Sequence, residues 1–445
     1  MNIPRSNTAA YTLMALSVVA YLALGYATQR TEFTQLLLLF SFCFGAYLYL
    51  INHKFNLWYG IAAAILFRLL LLFAVPSLSD DYFRFVWDGR LLAAGINPYL
   101  YLPGQFLGPH TAQVSGITQE LFQHLNSQDY YSVYPPVAQA VGWLAVKLFP
   151  DNLLASVVII RLVLLLADAG NILLLRLLLR KMALPEKHVL LYALNPLVII
   201  ELTGNLHFEA LMIFFLLLAL LQLFYLRLLP AGLAFGLAVG VKLLPLLFLP
   251  LVLRRLGLQR FIIFGTVMLA TVVAVFYPLV SADVIRHILK SVNLYFQKFE
   301  FNASIYYLLR WIGFRLSGFN LIMFIGPLLS AVTLGAVLAM AAVKRLGSTR
   351  RLMGYMAAAL GVYLFLATTV HPWYITTLLA LTVVSHFRFA VVWSGLAILS
   401  YAAYLTPAYQ ENLLLVAIEY TVVLIWLLAE LYLYRQRRRY ANLAD

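Results

Sequence analysis

Long apolar runs recur along the whole of this chain, and they limit its possible folds more than any other feature. A helix needs about 20 apolar residues to cross the hydrocarbon core of a bilayer, so each run of about that length predicts a membrane helix. The sequence therefore predicts an all-α, polytopic helical membrane protein with about 12–14 membrane helices. The candidate runs cover about 9–28, 33–52, 57–76, 134–149, 153–175, 188–203, 207–227, 231–253, 261–280, 319–343, 352–370, 373–387, 391–406 and 411–434.

The charge distribution fits a membrane protein. The chain is 64% hydrophobic and 11% charged, yet its formal net charge is +14. Lys and Arg cluster in short segments between apolar runs, at 254–260, 344–351 and 435–439. Such segments are typical of cytoplasmic loops, so we expect all three to be cytoplasmic and expect no nucleic-acid partner. The single cysteine, Cys43, lies inside an apolar run and predicts neither a disulfide framework nor a thiolate metal site.

One polar stretch, residues 79–103, interrupts the apolar pattern. Five charged residues fall within eleven positions of it: Asp80, Asp81, Arg84, Asp88 and Arg90. With the N-terminus inside, the third apolar run exits on the outer side, so 77–133 is predicted to be a large first external loop of a single domain that spans 1–445. Carboxylates placed where a membrane helix meets water can stay ionised while they reach a cavity among the helices. Such a position suits a general base that acts on a membrane-bound substrate. The alternative is a solvated loop anchored at the interface by Trp and Tyr.

Other polar residues lie inside apolar runs, where a charge costs at least about 2.5 to 3.5 kcal/mol on insertion scales. Asp168 and Asn171 share a helix face with Arg161, and they form either a functional group or an internal polar cluster. Lys242 lies deep in the run 231–253. Its ammonium group could meet a lipid phosphate, or it could extend to the interface.

The remaining candidate residues lie where apolar runs end. His207 and Glu209 separate two runs, and they could bind an acceptor hydroxyl or a phosphate-bound ion, or cap a tight turn. Arg310 and His371 lie at predicted outer boundaries, where a cation or an imidazole could hold the phosphate of a lipid donor or simply anchor a helix end. Beside His371, Tyr374 is expected to face the cavity, and Trp373 is expected to be a headgroup-level anchor.

Several of these motifs, in this order, resemble the GT-C superfamily of integral-membrane glycosyltransferases, and most closely its mannosyltransferase-like members. Those members include the catalytic subunit of GPI mannosyltransferase I and bacterial enzymes that depend on polyprenyl-phosphate mannose. The most specific motifs are Asp80-Asp81-Tyr82-Phe83-Arg84-Phe85, Trp87-Asp88-Gly89-Arg90, Gly95-Ile96-Asn97-Pro98-Tyr99 and Tyr134-Pro135-Pro136. Weaker matches are Asn195-Pro196, the 204–209 segment, Lys242 with Pro245, and His371-Pro372-Trp373-Tyr374.

The resemblance implies an enzyme in a bacterial inner membrane that transfers a sugar, with mannose expected, from a polyprenyl-phosphate donor. It implies inversion, a lipid or glycan acceptor, and an active site that faces the periplasm or exterior. An aspartate of the first external loop would be the base. Here adjacent Asp80 and Asp81 replace the spaced Asp-x-Asp of the eukaryotic enzymes, and Asp81 is the predicted base because it lies closer in sequence to Arg84. The two carboxylates could also share an ion, although no metal or cofactor is expected.

The predicted substrate-binding residues are those polar positions that the motifs place near the loop or the outer boundary. They are Arg84, Asp88, Tyr134, His207, Glu209, Lys242, Arg310, His371 and Tyr374. The alternative function is a carrier or flippase that moves a lipid-linked or anionic substrate by means of broken helices and buried charges. A carrier would not need a long external loop with paired aspartates, so the sequence favours the transferase.

Overall fold

The computed structural model describes residues 7–53, 55–108, 114–342, 346–406 and 409–443. These residues are almost all helical or in short connections, and no strand occurs among them. In chain order the α-helices are α1 (Thr8–Tyr26), α2 (Phe33–Asn52), α3 (Leu57–Leu70), α4 (Asp81–Ala93), α5 (Gln119–Gln123), α6 (Pro136–Leu148), α7 (Leu153–Lys181), α8 (Leu190–Ala193), α9 (Pro196–Val198), α10 (Glu209–Phe224), α11 (Leu228–Val241), α12 (Leu249–Leu256), α13 (Leu258–Phe276), α14 (Ala282–Lys298), α15 (Ile305–Ser317), α16 (Ile322–Ala342), α17 (Thr349–Leu366), α18 (Tyr374–Thr382), α19 (Phe389–Leu396) and α20 (Leu413–Leu443).

Six described helices are long and apolar enough to cross a membrane. They are α1, α2, α7, α13, α16 and the part of α20 that covers Leu413–Gln436. A seventh candidate is a bent pair, Pro196–Gly204 and Glu209–Phe224, whose halves meet at 111°. The predicted all-α, polytopic class is therefore confirmed, and the chain is a multi-pass integral membrane protein. The external placement of 77–133 and the single domain over 1–445 stay predictions.

The long helices are fewer than the 12–14 membrane helices that the apolar runs predicted, because several runs are divided into short helices. The run 188–203 is divided among α8, α9 and a π-helix, Ile199–Gly204. The run 231–253 is divided between α11 and α12, with a 3₁₀-helix between them. Pro245 and Pro250 have no amide hydrogen to continue a helix, and each lies in the first turn of a new one, where none is needed.

Helices α4 and α6 pack with their backbones nearly in contact, at two facing glycines. A β-carbon at Gly89 would lie 2.5 Å from the Gly142 carbonyl oxygen, and one at Gly142 would lie 2.6 Å from the Phe85 carbonyl oxygen. Only residues without a β-carbon allow this approach. Trp87 of α4 is fully buried, and burying a large apolar side chain stabilises the fold by about 1.5–3 kcal/mol. The polar stretch therefore includes a buried helix, in contrast to the solvated loop that was its alternative interpretation.

A buried ion pair joins α3 to α7. The Arg68 Nε donates to Asp168 Oδ2 at 2.6 Å, and neither side chain is exposed. The Tyr192 hydroxyl donates to Asp168 Oδ1 at 2.6 Å, and the Asn171 amide donates to the Ala210 carbonyl at 2.9 Å. The internal polar cluster predicted around Asp168 and Asn171 is therefore confirmed, but its cation is Arg68. The third predicted member, Arg161, donates to backbone carbonyl groups and not to this cluster.

Candidate active site

The two adjacent aspartates lie at the start of α4 and have different partners. Asp81 is the first residue of the helix, where the helix dipole favours a negative charge. Asp80 precedes it, and its Oδ2 lies 2.5 Å from Arg30 Nη2. Arg30, in the connection between α1 and α2, also lies 5.1 Å from the centre of the Tyr404 ring. Asp80 is therefore paired with a cation, whereas Asp81 faces another set of groups.

Asp81 has a partly open environment. The Asn126 amide donates to Asp81 Oδ1 at 2.7 Å, and His207 Nδ1 lies 3.9 Å from Asp81 Oδ2. The Asp81 side chain keeps 18% of its surface exposed. Burial, followed by the charge of Asp81, raises the pKa of the Tyr134 phenol well above its ordinary value, so this hydroxyl stays protonated. Asp81 is thus held by Asn126 and by the Tyr134 phenol, and it remains partly accessible to a substrate.

A stack of three aromatic rings passes beside Asp81. The ring of His207 lies 3.6 Å from that of Trp373, and His371 lies on Trp373 at 4.3 Å between ring centres. Trp373 is therefore a buried ring between two imidazoles, and its prediction as a headgroup anchor is wrong. Burial lowers the pKa of His371 to about 3, although the charge of Asp81 acts in the opposite direction. His371 is consequently neutral near pH 7, and it could contribute only as a neutral donor or acceptor.

Glu201 completes this group, and it is not among the site residues predicted from the sequence. Its Oε2 lies 3.3 Å from His207 Nε2, and its side chain is fully buried. The Tyr401 hydroxyl donates to Glu201 Oε1 at 2.7 Å, and the Asn205 amide donates to Oε2 at 3.0 Å. His207 therefore lies between two carboxylates, one partly exposed and one buried. A single acidic residue within the apolar run 188–203 was the only signal that could have identified Glu201.

The bend between α9 and α10 places His207 in this position, and Arg161 holds the bend. The Arg161 guanidinium donates to the Thr203 carbonyl at 2.8 Å, to the Gly204 carbonyl at 3.0 Å and to the Leu72 carbonyl at 2.8 Å. Carbonyl groups at a helix end lack partners within the helix, and a cation is favourable there. The role of Arg161 is therefore to fix the turn that carries His207.

Lys242 and Glu209 form an ion pair close to the same rings. Lys242 Nζ is paired with Glu209 Oε1 and lies 5.6 Å from the centre of the Tyr374 ring. The Glu209 side chain is almost fully buried, whereas Lys242 keeps 21% of its side chain exposed. An ammonium group has three donors, so Lys242 can bind a further anion while it stays paired with Glu209.

Several buried polar atoms of this group have no hydrogen-bond partner among the described residues. They are His207 Nε2, Glu209 Oε2 and His371 Nδ1. His207 Nε2 is near Glu201 but is not aligned with it as a hydrogen bond. Most buried polar atoms are satisfied in native proteins, so a local concentration of unsatisfied ones indicates a functional site.

Arg84 and Asp88 lie one and two helical turns after Asp81 on α4, and their environment differs from that of Asp81. Arg84 Nε donates to Asp88 Oδ1 at 2.8 Å, and its Nη1 donates to the Ser127 and Tyr130 carbonyls, each at 3.0 Å. Ser132 and Gln139 donate to Asp88 Oδ2 at 2.5 and 2.8 Å. This closed network, which we call the Asp88 network, holds the segment after α5 against α4 and α6. The substrate-binding roles predicted for Arg84 and Asp88 stay predictions.

Arg310 has a different set of partners from Lys242. It is paired with Glu300 and lies 4.2 Å from the centre of the Tyr307 ring. It also lines an open cavity of about 390 Å³ together with Tyr409, Gln410, Glu411 and Leu413. Burial raises the pKa of Glu411 above its ordinary value. The phosphate-binding role predicted for Arg310 stays a prediction.

The candidate active site consequently joins residues from distant parts of the chain. We define it as Asp81, Tyr134, Glu201, His207, Glu209, Lys242, His371, Trp373 and Tyr374, with Asp80 and Arg30 at its edge. Within the described ranges, no group of three or more His, Cys, Asp or Glu side chains is arranged to hold a metal ion.

Comparison with known families identifies the family of this chain. The family described as "Alpha-(1->6)-mannopyranosyltransferase, N-terminal domain" (MptA_B family) matches residues 5–256, which is more than half of the chain. The matched range contains Asp81, Glu201, His207, Glu209 and Lys242, whereas the His371 to Tyr374 segment lies beyond it. No curated protein sequence matches the chain.

Proposed function

This chain belongs to the alpha-(1->6)-mannopyranosyltransferase family, and on that premise we propose that it transfers mannose from a polyprenyl-phosphate donor to an acceptor hydroxyl on the outer face of the membrane, with inversion. Its family makes it a mannosyltransferase, hence a membrane-embedded glycosyltransferase. The donor, the stereochemistry and the side of the membrane are our proposal. The observation that carries it is the partly exposed Asp81 carboxylate beside the His207 imidazole, with His371 under the influence of both Asp81 and Lys242.

Asp81 acts as the general base. It takes the proton of the acceptor hydroxyl while the oxygen attacks C1 of the mannose, and the bond from C1 to the phosphate oxygen breaks with its electron pair on the phosphate. An attack from the face opposite the leaving group inverts C1 and needs one base. Asp81 suits this role because Asn126 and the Tyr134 phenol hold the carboxylate in place while 18% of its side chain stays exposed to a substrate.

The donor phosphate binds Lys242. A phosphate is anionic in both the donor and the product, and an uncompensated anion at membrane depth would be costly. Lys242 keeps exposed surface and free donors while Glu209 holds it in place. Arg30 supplies a second positive charge on the far side of Asp80. His371 is a neutral hydrogen-bonding group, and the rings of Tyr134 and Tyr374 lie beside Asp81 and Lys242, where they can line the sugar site.

A donor panel tests the activity. Purified protein in lipid nanodiscs is given radiolabelled mannose as polyprenyl phosphate or as a nucleotide sugar, with a short α-linked mannoside as acceptor. We expect transfer from the lipid donor alone and an α-linked product from a β-linked donor. Asp283→Asn is the matched control for an acid variant, because Asp283 is an exposed residue of α14 that pairs with Arg286. Transfer from the nucleotide sugar, or transport of the lipid without transfer, would contradict the proposal.

The side of the membrane needs a separate test. The only native cysteine, Cys43, is buried, so introduced cysteines can be labelled selectively. We expect a reagent that cannot cross the membrane to label Gln105→Cys from outside intact cells and to miss Gln436→Cys in the basic tail. The reverse pattern would show that the site faces the cytoplasm.

A further inference from the structure

The chain has two unusual backbone features immediately before and around His207. Glu201 lies in a π-helix, and Leu206 has a left-handed backbone with φ 64°. A π-helix is uncommon and often marks a functional site, and a positive φ at a branched residue costs roughly 1–3 kcal/mol. The His207 backbone N–H also donates to the Glu201 carbonyl at 3.2 Å. This irregular turn therefore brings the side chains of Glu201 and His207 together.

Glu201 is a fully buried carboxylate in a protein that is mostly apolar. Its oxygens accept hydrogen bonds from Tyr401 and Asn205, which hold the carboxylate in one orientation. Such a charge is expensive to bury unless it has a partner of opposite charge. The His207 imidazole lies 3.3 Å from its Oε2. The site thus places a buried carboxyl group next to an imidazole.

The imidazole of His207 is fixed between two carboxylates. Stacking on Trp373 sets the plane of the ring, and the two ring nitrogens then lie 3.9 Å from Asp81 Oδ2 and 3.3 Å from Glu201 Oε2. Both distances exceed a good hydrogen bond, but catalytic hydrogen bonds often tighten only when substrate is bound. The ring therefore lies in line between the two carboxyl groups, with one nitrogen toward each.

We propose that Glu201 and His207 form a proton relay for Asp81, in which Glu201 is a positioning residue. This inference rests on the proposed function of Asp81. Glu201 keeps the proton of the neutral imidazole on Nε2, so the Nδ1 lone pair faces Asp81. After Asp81 takes the proton of the acceptor hydroxyl, that proton passes from Oδ2 to Nδ1. The O–H bond breaks, an N–H bond forms, Asp81 is a carboxylate again, and the imidazolium lies between two negative charges.

Other titratable and charged groups also face the site around His207. The neighbouring groups are Asp81 from α4, Glu201 from the π-helix, Glu209 from α10, Lys242 after α11, His371 before α18, Tyr401 and Tyr404 before α20, and Arg30 before α2. Burial keeps His371 neutral, since its pKa is about 3. Lys242 and Arg30 are already cations and cannot accept a proton.

The first test compares the pH dependence of kcat in the parent and in Glu201→Gln. The substitution keeps the shape of the side chain and removes its charge, so the imidazolium is populated less. We expect kcat at pH 7 to fall on the order of 10- to 100-fold, a part of the effect of a positioned base. We also expect the acid limb of the profile to move to lower pH, with an unchanged Kd for the donor. A merely structural role would lower kcat at every pH without moving the limb.

Two further measurements keep the inference testable if Glu201→Gln does not fold. His207→Gln removes the proton acceptor, and we expect it to lower kcat and to move the acid limb in the same direction. The double variant should be no slower than His207→Gln alone, because both changes break one relay. An unmoved acid limb in a folded variant, or additive losses in the double variant, would overturn the relay.

A spectroscopic measurement separates the relay from the proposed function. In ¹⁵N-histidine-labelled protein, the His207 signal is assigned by its loss in His207→Gln, and it should report the Nε2–H tautomer. In Glu201→Gln this preference should be lost, and the imidazolium should appear only at lower pH than in the parent. An unchanged His207 signal would overturn the relay even in a preparation with no turnover. Absence of turnover in the parent with every lipid donor would contradict the proposed function instead.

Discussion

Helix α4 carries two acidic groups within two turns, and their surroundings differ in kind. Asp88 is fully buried, and every partner that it needs is supplied by Arg84, Ser132 and Gln139. Asp81 is partly exposed, is held by Asn126 and by the Tyr134 phenol, and faces His207 at 3.9 Å. A satisfied buried charge fixes local structure, whereas an incompletely satisfied one is available to a substrate. The difference shows that a charged residue in an apolar chain is not by that fact alone a catalytic residue.

The largest effect is expected at Asp81. In Asp81→Asn the carboxylate is lost and the shape is kept, so we expect kcat to fall on the order of 10²–10⁴-fold, the usual contribution of a positioned base. Asp80→Asn should lose less, because Asp80 is paired with Arg30 and not with the relay. Steady-state transfer assays on both variants check this. Near-normal turnover in Asp81→Asn with a large loss in Asp80→Asn would reverse their roles.

The second-largest effect is expected in Asp88→Asn, on the free energy of unfolding and not on the rate of transfer. Asp88→Asn leaves the buried Arg84 guanidinium without its carboxylate, and breaking such a pair costs about 3–5 kcal/mol in the free energy of unfolding. Chemical unfolding in detergent measures the loss, with the exposed Asp283→Asn as control. We expect the molecules that remain folded to keep turnover near the parent value. A stable Asp88→Asn variant that has lost turnover would show that Asp88 belongs to the active site.

A smaller effect is expected on donor binding. Lys242→Met removes the ammonium group and keeps an apolar stem, so a charged hydrogen bond of about 1.5–3 kcal/mol is lost. The Kd for polyprenyl-phosphate mannose should rise on the order of 10- to 100-fold. Lys147→Met is the matched control, because Lys147 lies on the exposed surface of α6. Equal affinities of Lys242→Met and the parent would place the phosphate elsewhere.

The smallest effect is expected at Arg310, which sharpens the comparison between paired and available cations. Arg310 is held by Glu300 and by the ring of Tyr307, in a different polar group from Lys242. We therefore expect Arg310→Ala to change the donor Kd by no more than about two-fold, well below the effect of a lost charged hydrogen bond. Parallel donor titrations of Lys242→Met and Arg310→Ala show which residue contributes more to donor binding. A larger loss at Arg310 would make the open cavity beside Glu411 the phosphate site.

The sequence predicted the fold class, but it predicted few of the side-chain contacts between helices. Apolar runs predicted the all-helical membrane class because each run must bury its backbone polar groups internally. Motif order suggested Asp81, His207, Lys242 and His371, which the structure brings together from distant positions. Helical periodicity shows which residues share a face, but it does not show which helix lies opposite. The partner of Asp168 therefore could not be predicted.

The sequence analysis also did not identify Glu201 and Arg30 as site residues. Glu201 is one acidic residue in an apolar run, and Arg30 lies in a short connection between two helices. Neither has a local pattern that distinguishes it from a charge exposed at an interface. Their roles depend on contacts with His207 and Asp80, which form only when the bend between α9 and α10 and the turn after α1 are in place.

The most direct measurement is a single turnover with donor already bound, since it separates the chemical step from binding and release. Asp81→Asn and Asp88→Asn are each loaded with radiolabelled polyprenyl-phosphate mannose, mixed with acceptor, and quenched over time, with the folded fraction measured in the same samples. We predict that Asp81→Asn binds donor normally, stays folded and reacts on the order of 10²–10⁴-fold more slowly. We also predict that the folded fraction of Asp88→Asn reacts at the parent rate. A parent-like rate in Asp81→Asn, or a slow chemical step in folded Asp88→Asn, would contradict the division between the two groups.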